Sequence, residues 1–253
     1  VWRCVGMRFS DRVTGKVSDF APHAKIVHFE IDRAELNKNV AADYRVLGDL
    51  SWSLPILRDK LAACPDDFAA KFSPWLAHAL ELEAKHPFGY REEGDAIKPG
   101  ALISKVSSLM GRDAIGVTDV GQHQMWAAQF FKVYKPRHFL TSGGQGTMGY
   151  GLPAALGAKV GCPDSPVVLF SGDGSIMMNC QEFATIADND IDVKVVVIRN
   201  EILGMVGQWQ RLFYNHHYSQ SELKGKTDLV KLAEAMGVKG YRLTKKEELE
   251  TRL

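Results

Sequence analysis

The sequence has few cysteines, almost no net charge and no long hydrophobic run. Its four cysteines, Cys4, Cys64, Cys162 and Cys180, lack CxxC spacing, which argues against a disulfide framework or a zinc site and favours a reducing compartment. Lys and Arg number 31 and Asp and Glu number 30, a balance that disfavours nucleic-acid binding. No run of about 18 apolar residues is present, so no membrane span is expected.

What the sequence contains is typical of a globular protein. It has 253 residues, of which 45% are hydrophobic and 24% are charged, a composition and length that predict one or two domains. It opens on Val1 and ends in a helix-like stretch at 247–253. We therefore expect it to be a fragment of a longer protein.

Short apolar runs alternate with helix-like segments along most of the chain. The runs expected to form strands are 26–32, 44–47, 114–120, 138–141, 167–170, 193–198 and 241–243. This alternation predicts a doubly wound parallel α/β sheet with helices on both faces. In such a sheet, ligands bind beyond the carboxyl ends of the strands. The residues that follow each strand are therefore the first candidates for a site.

A glycine turn after the run 167–170 carries an acid at its centre, Asp173 in Ser171-Gly172-Asp173-Gly174-Ser175. A strand, a glycine turn and a helix start form a geometry that suits a phosphate. An acid beside a phosphate requires a cation between them, and Mg²⁺ fits that role. The alternative is an ordinary Asp-Gly turn.

The next predicted strand ends at Asn200, 27 positions after Asp173. Adjacent parallel strands end at the same edge of a sheet, so Asn200 offers a second oxygen near Asp173, and an irregular backbone there can add a carbonyl. The alternative is that Asn200 only ends its strand, as Asn often does.

Taken together, GDG followed by Asn at this distance resembles the thiamine diphosphate fingerprint. Over nearly all its length the chain resembles the large catalytic subunits of the acetolactate synthase (acetohydroxyacid synthase) family. The motifs that carry the resemblance are those at 8–16, 121–126, 146–155, 203–210 and 213–214.

The resemblance implies a cofactor site, a metal site and a substrate channel. Thiamine diphosphate would be bound by Gly121, Gln122, His123, Gly146, Met148, Asp173, Gly174, Ser175, Met178, Asn200 and Met205, with Val120 in the apolar part of the pocket. Mg²⁺ would be bound by the side chains of Asp173 and Asn200 and the carbonyl of Ile202, and Arg12 and Trp209 would line the channel. Without the resemblance, the three methionines would be core residues, Trp209 a core or interface residue, and His123 a loop histidine.

The resemblance also divides the chain. Residues 1–65 would end a middle, FAD-binding domain in which Asp11, Asp32 and Asp49 face the flavin nucleotide. Residues 66–98 would form a helical linker, and 99–253 a C-terminally truncated thiamine diphosphate-binding domain.

The implied activity is that of a transferase. It would decarboxylate pyruvate and join the remaining carbons to a second 2-oxo acid, pyruvate or 2-oxobutyrate, in the first common step of valine, leucine and isoleucine synthesis. The activating glutamate of the family lies in an N-terminal domain that this sequence does not contain. No catalytic residue is therefore expected here, and the chain alone should be inactive.

The resemblance further implies a homodimer or tetramer, a possible small regulatory subunit, and a cytoplasmic location, or a plastid or mitochondrial one in a eukaryote. The alternatives are another thiamine diphosphate enzyme (an oxo-acid oxidase, a decarboxylase or a glyoxylate carboligase) or an inactive nucleotide-binding fragment.

Overall fold

The computed structural model describes residues 2–65, 67–90 and 94–253. The chain divides into two compact units, Val1–Lys85 and His86–Leu253. The first contains a three-stranded parallel sheet and the second a four-stranded parallel sheet, which confirms the predicted α/β class. Within the described residues, no helix has both the length and the apolar character needed to cross a bilayer.

The first unit is built on three parallel strands in sequential order. They are β1 (Trp2–Val5), β2 (Ile26–Glu30) and β3 (Tyr44–Leu47), and the α-helices are α1 (Asp11–Thr14), α2 (Leu50–Ala62) and α3 (Phe68–Lys85). The sequence predicted β2 and β3 but not β1. Cys4, Phe9, Ile26 and Val40 form the buried core of this unit.

The second unit places four parallel strands in the order β5-β4-β6-β7. The strands are β4 (Ile115–Thr118), β5 (Phe139–Thr141), β6 (Val167–Gly172) and β7 (Val193–Ile198). The helices are α4 (Pro99–Met110), α5 (Gln122–Phe130), α6 (Gly151–Gly161), α7 (Asp173–Ile176), α8 (Glu182–Asp188), α9 (Gly204–Phe213), α10 (Leu229–Ala235) and α11 (Glu248–Arg252).

Both faces of this second sheet are buried, as an apolar parallel strand requires. Successive side chains of β6 point to opposite faces. Val168 and Phe170 pack in one cluster with residues of α4 and α5, whereas Val167 and Leu169 pack in another with residues of α6 and α8. The continuous apolar run of β6 therefore forms the middle of the core.

The direction of the connections reverses at one place in the sheet. From β4 the chain passes to β5 on one side, and β6 then pairs with β4 on the other side. The connections after β4 and β6 thus leave in opposite directions, which is the switch point at which open α/β sheets bind ligands.

One predicted element has different bounds and another is absent. The sequence pattern predicts a helix at 126–133, and a helix does form there, but it spans Gln122–Phe130 with Gly121 as its N-cap. No strand forms at 241–243. There the Tyr241 side chain is 64% exposed, and Arg242 binds Asp228, the N-cap of α10, so this short alternation buries too little apolar surface to add a strand.

The predicted division into 1–65, 66–98 and 99–253 stays a prediction. The middle segment contains α3 and, in its described residues 86–90 and 94–98, no further helix or strand before α4 begins at Pro99. Its residues 66 and 91–93 lie outside the described part of the chain.

Candidate cofactor site

The first part of the candidate site is the step from β4 into α5. Gly121 has a φ of 145° and caps the helix, and Gln122 and His123 occupy its first turn, where backbone N–H groups have no acceptor within the helix. The motif follows a predicted strand and indicates a turn at 121–124, but residues 122–124 are helical. The change strengthens the prediction, since a helix N-terminus favours an anion.

The buried His123 lies between the ends of β4 and β6. A Cβ on Gly121 would lie 2.9 Å from its Cε1, and one on Gly172 would lie 2.9 Å from its Nδ1, so both glycines make room for this ring. Burial lowers the pKa of the His123 imidazole to about 4, and the ring is neutral at pH 7. Its Nε2 is buried and has no hydrogen-bond partner among the described residues, which leaves it available to a ligand.

The second part is the step from β6 into α7. Asp173 is the first residue of that helix, not the centre of a turn as predicted, because β6 runs on to Gly172. Its side chain is nearly buried, at 8% residue exposure. One carboxylate oxygen accepts the Gly174 N–H at 3.1 Å, and the other accepts the Glu201 N–H at 2.8 Å.

The third part is the chain after β7. Glu201 has a φ of 58°, a left-handed conformation that is uncommon for a residue other than glycine. This irregular backbone lies between Asn200 and Ile202, as predicted for a loop that contributes a carbonyl. Asn200 is exposed, and its Oδ1 accepts the Ile202 N–H at 3.2 Å.

These three strand ends meet. A Cβ on Gly204 would clash with the Gln122 carboxamide and lie 3.0 Å from Asn200 Nδ2. Gln122 also donates to Gln208 Oε1 at 2.8 Å. The hydrogen bond from the Glu201 N–H to Asp173 places the Asp173 carboxylate at the same edge of the sheet. Residues predicted from separate motifs therefore lie together.

The glycine-rich stretch at 142–151 lies beside them. Gly146 is exposed with a φ of 65°, and a Cβ there would lie 4.0 Å from Val120 Cγ1. Met148 is half-buried. The Ser175 hydroxyl donates to the Val120 carbonyl at 3.1 Å, which ties α7 to the end of β4.

Asp119 is an important residue that the sequence analysis did not assign. It is 0% exposed, and its Oδ1 accepts the Gly149 N–H at 2.8 Å and the Val120 N–H at 3.0 Å. Its Oδ2 accepts the Ser171 hydroxyl at 3.3 Å. Burial raises the pKa of the Asp119 carboxyl, and these hydrogen bonds oppose the shift. An acid directly after an apolar strand was the available signal.

The remaining predicted residues of this unit are more exposed. Met178 is 55% exposed and Met205 is half-buried. Trp209 lies on α9 at 46% exposure and lines an open cavity of about 490 Å³ with Gln210, Phe213 and other residues of the same segment.

The predicted flavin residues all belong to the first unit. Asp32 and Asp49 follow the adjacent strands β2 and β3 and accept the N–H groups of Ala34 at 2.8 Å and Ser51 at 2.7 Å. Asp11 is exposed and forms an ion pair with Arg12 at 2.5 Å. The predicted pairing of Arg12 with Trp209 at one channel stays a prediction, because the two residues belong to different units.

Within the described residues, no group of three or more His, Cys, Asp and Glu side chains could hold a metal ion. The predicted magnesium ligands are of another kind, since they comprise one carboxylate, one carboxamide and one backbone carbonyl. Hard oxygen donors of this type, with the remaining positions filled by phosphate and water, are what Mg²⁺ selects.

Comparison with known proteins is consistent with this geometry. The model of the thiamine pyrophosphate enzyme C-terminal TPP binding domain matches residues 119–253, and that of the thiamine pyrophosphate enzyme central domain matches residues 3–57.

Similar curated proteins are acetolactate synthases. The chain is 44% identical to the acetolactate synthase isozyme 2 large subunit of Escherichia coli over 98% of its own length and 44% of that protein. It is also 44% identical to acetolactate synthase 1, chloroplastic, of Nicotiana tabacum, covering 96% of this chain and 38% of the relative. A probable acetolactate synthase large subunit of Methanocaldococcus jannaschii is 44% identical, over 98% and 43% respectively. The chain thus spans about two fifths of the length of these relatives.

Proposed function

The chain belongs to the thiamine pyrophosphate enzyme family, and from this premise we propose that it carries the thiamine diphosphate- and Mg²⁺-binding part of an acetolactate synthase. The complete enzyme is a transferase. It decarboxylates pyruvate and joins the product to a second 2-oxo acid, pyruvate or 2-oxobutyrate, in branched-chain amino-acid synthesis. The similarity to acetolactate synthases over nearly the whole chain supports this choice within the family.

One contact carries the proposal. The 2.8 Å hydrogen bond from the Glu201 N–H to the Asp173 carboxylate joins the GDG segment to the Asn200 segment. It brings the carboxylate to a backbone whose left-handed residue, Glu201, turns the chain between Asn200 and Ile202. A magnesium ion bound by Asp173, Asn200 and the Ile202 carbonyl would neutralise the negative charge that Asp173 would otherwise direct at a diphosphate.

The diphosphate itself fits the N-terminus of α5. The first-turn N–H groups of Gln122 and His123 favour an anion, and the buried Nε2 of His123 still lacks a partner among the described residues. Gly174 and Ser175 offer further backbone on the α7 side. These groups support placing the anionic end of the cofactor at this position.

The other end of the cofactor fits the glycine-rich loop. The Gly146 carbonyl would accept from the aminopyrimidine, and the Met148 side chain would support the bent molecule. Val120, Met178 and Met205 would complete the apolar part of the pocket. When bound, thiamine diphosphate supplies the electron-accepting ring that allows CO₂ to leave a 2-oxo acid. The residues of this chain bind it, orient it and keep water from its apolar side.

Catalysis needs more than this chain. None of its residues is assigned as the acid that activates the cofactor, and we propose that this glutamate comes from an N-terminal domain, so that residues 1–253 alone are inactive. In the first unit, FAD is proposed as a structural cofactor beside Asp11, Asp32 and Asp49. Arg12 and Trp209 are proposed for the substrate channel of a homodimer or tetramer, with a small regulatory subunit as a possible further partner.

The test uses the complete natural polypeptide that contains this chain. Thiamine diphosphate is titrated by calorimetry with and without Mg²⁺, and pyruvate is then supplied with both cofactors and FAD. We expect Mg²⁺-dependent binding and acetolactate as the product. Acetaldehyde, acetate or acetyl phosphate would retain the cofactor site but move the enzyme to a decarboxylase or oxidase. A Kd of thiamine diphosphate that is the same with and without Mg²⁺ would refute the metal site.

A further inference from the structure

The backbone of Gly149, next to Met148, is held at both its N–H and its carbonyl group. Its N–H donates to Asp119 Oδ1 at 2.8 Å, and its carbonyl accepts from Asn179 Nδ2 at 2.7 Å. The orientation of the Asn179 carboxamide follows from a neighbouring bond, because Gln181 Nε2 donates to Asn179 Oδ1 at 3.1 Å. The amide nitrogen of Asn179 therefore faces Gly149.

The backbone at this point accepts no other residue easily. Gly149 has a φ of 86°, and a Cβ there would lie 2.9 Å from both Asn179 Nδ2 and Met178 Cβ. Gly151 is restricted mainly by Leu169, since a Cβ there would lie 2.7 Å from Leu169 Cδ1, and also by Asp119, whose backbone N and Cβ would lie at 3.0 Å and 3.1 Å. The absence of a side chain at Gly149 thus leaves room for Asn179.

The same two side chains connect the loop to the rest of the site. Asp119 follows β4 and also receives the Ser171 hydroxyl of β6. Asn179 lies between α7 and α8. A shift of the Gly149 backbone would therefore break its hydrogen bonds to Asp119, after β4, and to Asn179, after α7. These two segments set the position of the loop.

We propose that Asp119 and Asn179 are positioning residues. They hold the Gly149 backbone, and with it Met148, in the conformation that receives the aminopyrimidine end of thiamine diphosphate. This inference rests on the proposed function. It assigns to Asp119 and Asn179 no contact with the cofactor.

The arrangement separates the two ends of the cofactor. The residues proposed for the diphosphate lie on α5, on α7 and after β7, and none of them bonds to the Gly149 carbonyl. Loss of the Asn179 bond should therefore weaken binding of the pyrimidine end and leave binding of the diphosphate end intact. A general loss of structure would weaken both.

The experiment titrates two probes, thiamine diphosphate and inorganic pyrophosphate, each with Mg²⁺, into the complete polypeptide. The variant is Asn179→Asp, whose carboxylate offers no donor to the Gly149 carbonyl. We expect the Kd of thiamine diphosphate to rise about tenfold or more, from loss of one partly buried hydrogen bond and the repulsion that replaces it. The Kd of pyrophosphate should stay within about twofold of wild type, on the same reasoning.

The control is Asn189→Asp, which makes the same chemical change away from the site. Asn189 is exposed and its Nδ2 likewise donates to one backbone carbonyl, that of Thr185, at 2.9 Å. Both Kd values should stay at wild-type levels in this variant. Thermal unfolding midpoints are recorded for every protein.

Equal weakening of both probes in Asn179→Asp, or no change in either, would overturn the inference. If Asn179→Asp does not fold, the same titrations on Asn179→Ala test the inference. In that variant only the Kd of thiamine diphosphate should rise, and by less than is expected for Asn179→Asp. Failure of the proposed function is a separate result, since wild-type protein would then bind neither probe with Mg²⁺.

Discussion

The neutral, buried His123 makes a quantitative prediction about stability and pH. Its folded-state pKa is about 4, whereas an unperturbed histidine titrates near 6.5, about 2.5 units higher. Between these values the unfolded chain binds a proton at this position and the folded protein does not. The contribution of His123 to the free energy of unfolding is therefore fully present above about pH 6.5 and is lost as the pH falls towards 4.

The size of the effect follows from the same two values. One pKa unit corresponds to about 1.36 kcal/mol, so the whole shift is worth about 3 kcal/mol, of which about 2 kcal/mol is lost between pH 7.5 and pH 5. The physical cause is the desolvation of an imidazolium ring packed against Gly121 and Gly172, where a charged ring would have no solvent.

The assay is urea unfolding of the purified protein without cofactor at pH 7.5 and pH 5, for wild type, His123→Gln and the control His86→Gln. His86 is exposed, so its replacement should leave the pH dependence unchanged. We expect the wild type and the control to lose about 2 kcal/mol more than His123→Gln on acidification. Equal losses in all three proteins would show that His123 is not held neutral by burial.

Three further predictions concern single residues. Asp173→Ala should abolish the Mg²⁺ dependence of thiamine diphosphate binding in a calorimetric titration, whereas Asp164→Ala, which removes an exposed acid, should not change it. Gly149→Ala should lower the free energy of unfolding by about 2 kcal/mol or more, because Gly149 has a positive φ and no space for a Cβ. Gly157→Ala, in a helix with nothing within 4 Å of the new Cβ, should raise it by up to about 1 kcal/mol. Urea unfolding measures both variants, and a less stable Gly157→Ala than Gly149→Ala would contradict the steric argument. Phe170→Ala, at a position with 0% exposure, should cost about 3–5 kcal/mol in the same assay, and a loss below about 1 kcal/mol would mean that β6 is not the centre of the core.

Local patterns in the sequence are sufficient to predict most of the strands. The apolar run at 193–198 coincides with β7, and 44–47 coincides with β3. Apart from Lys194 and Arg45, each run consists of β-branched or large apolar residues, which favour strands. Burial is not what distinguishes β3, because most of its residues are exposed. At 241–243 the same kind of local pattern forms no strand.

The magnesium prediction also rests on a property that sequence carries. Asp173 and Asn200 follow consecutive strands of a predicted parallel sheet, and β6 and β7 do pair in register from Val167 with Val193 to Gly172 with Ile198. Neighbouring parallel strands must end at one edge. Spacing therefore predicts that both residues lie at this edge, and the pairing of β6 with β7 makes their strands neighbours. Their coordination of a metal is still a proposal.

The sequence by itself determined the α/β class, the residues of most strands and the motifs that face one sheet edge, because these depend on local composition and on the period of apolar residues. Only the tertiary structure decided the order β5-β4-β6-β7 and the bonds that Asp119 and Asn179 make to Gly149. Those two bonds join residues 30 positions apart in the chain, and no local pattern specifies which distant backbone segment will bind a buried carboxylate.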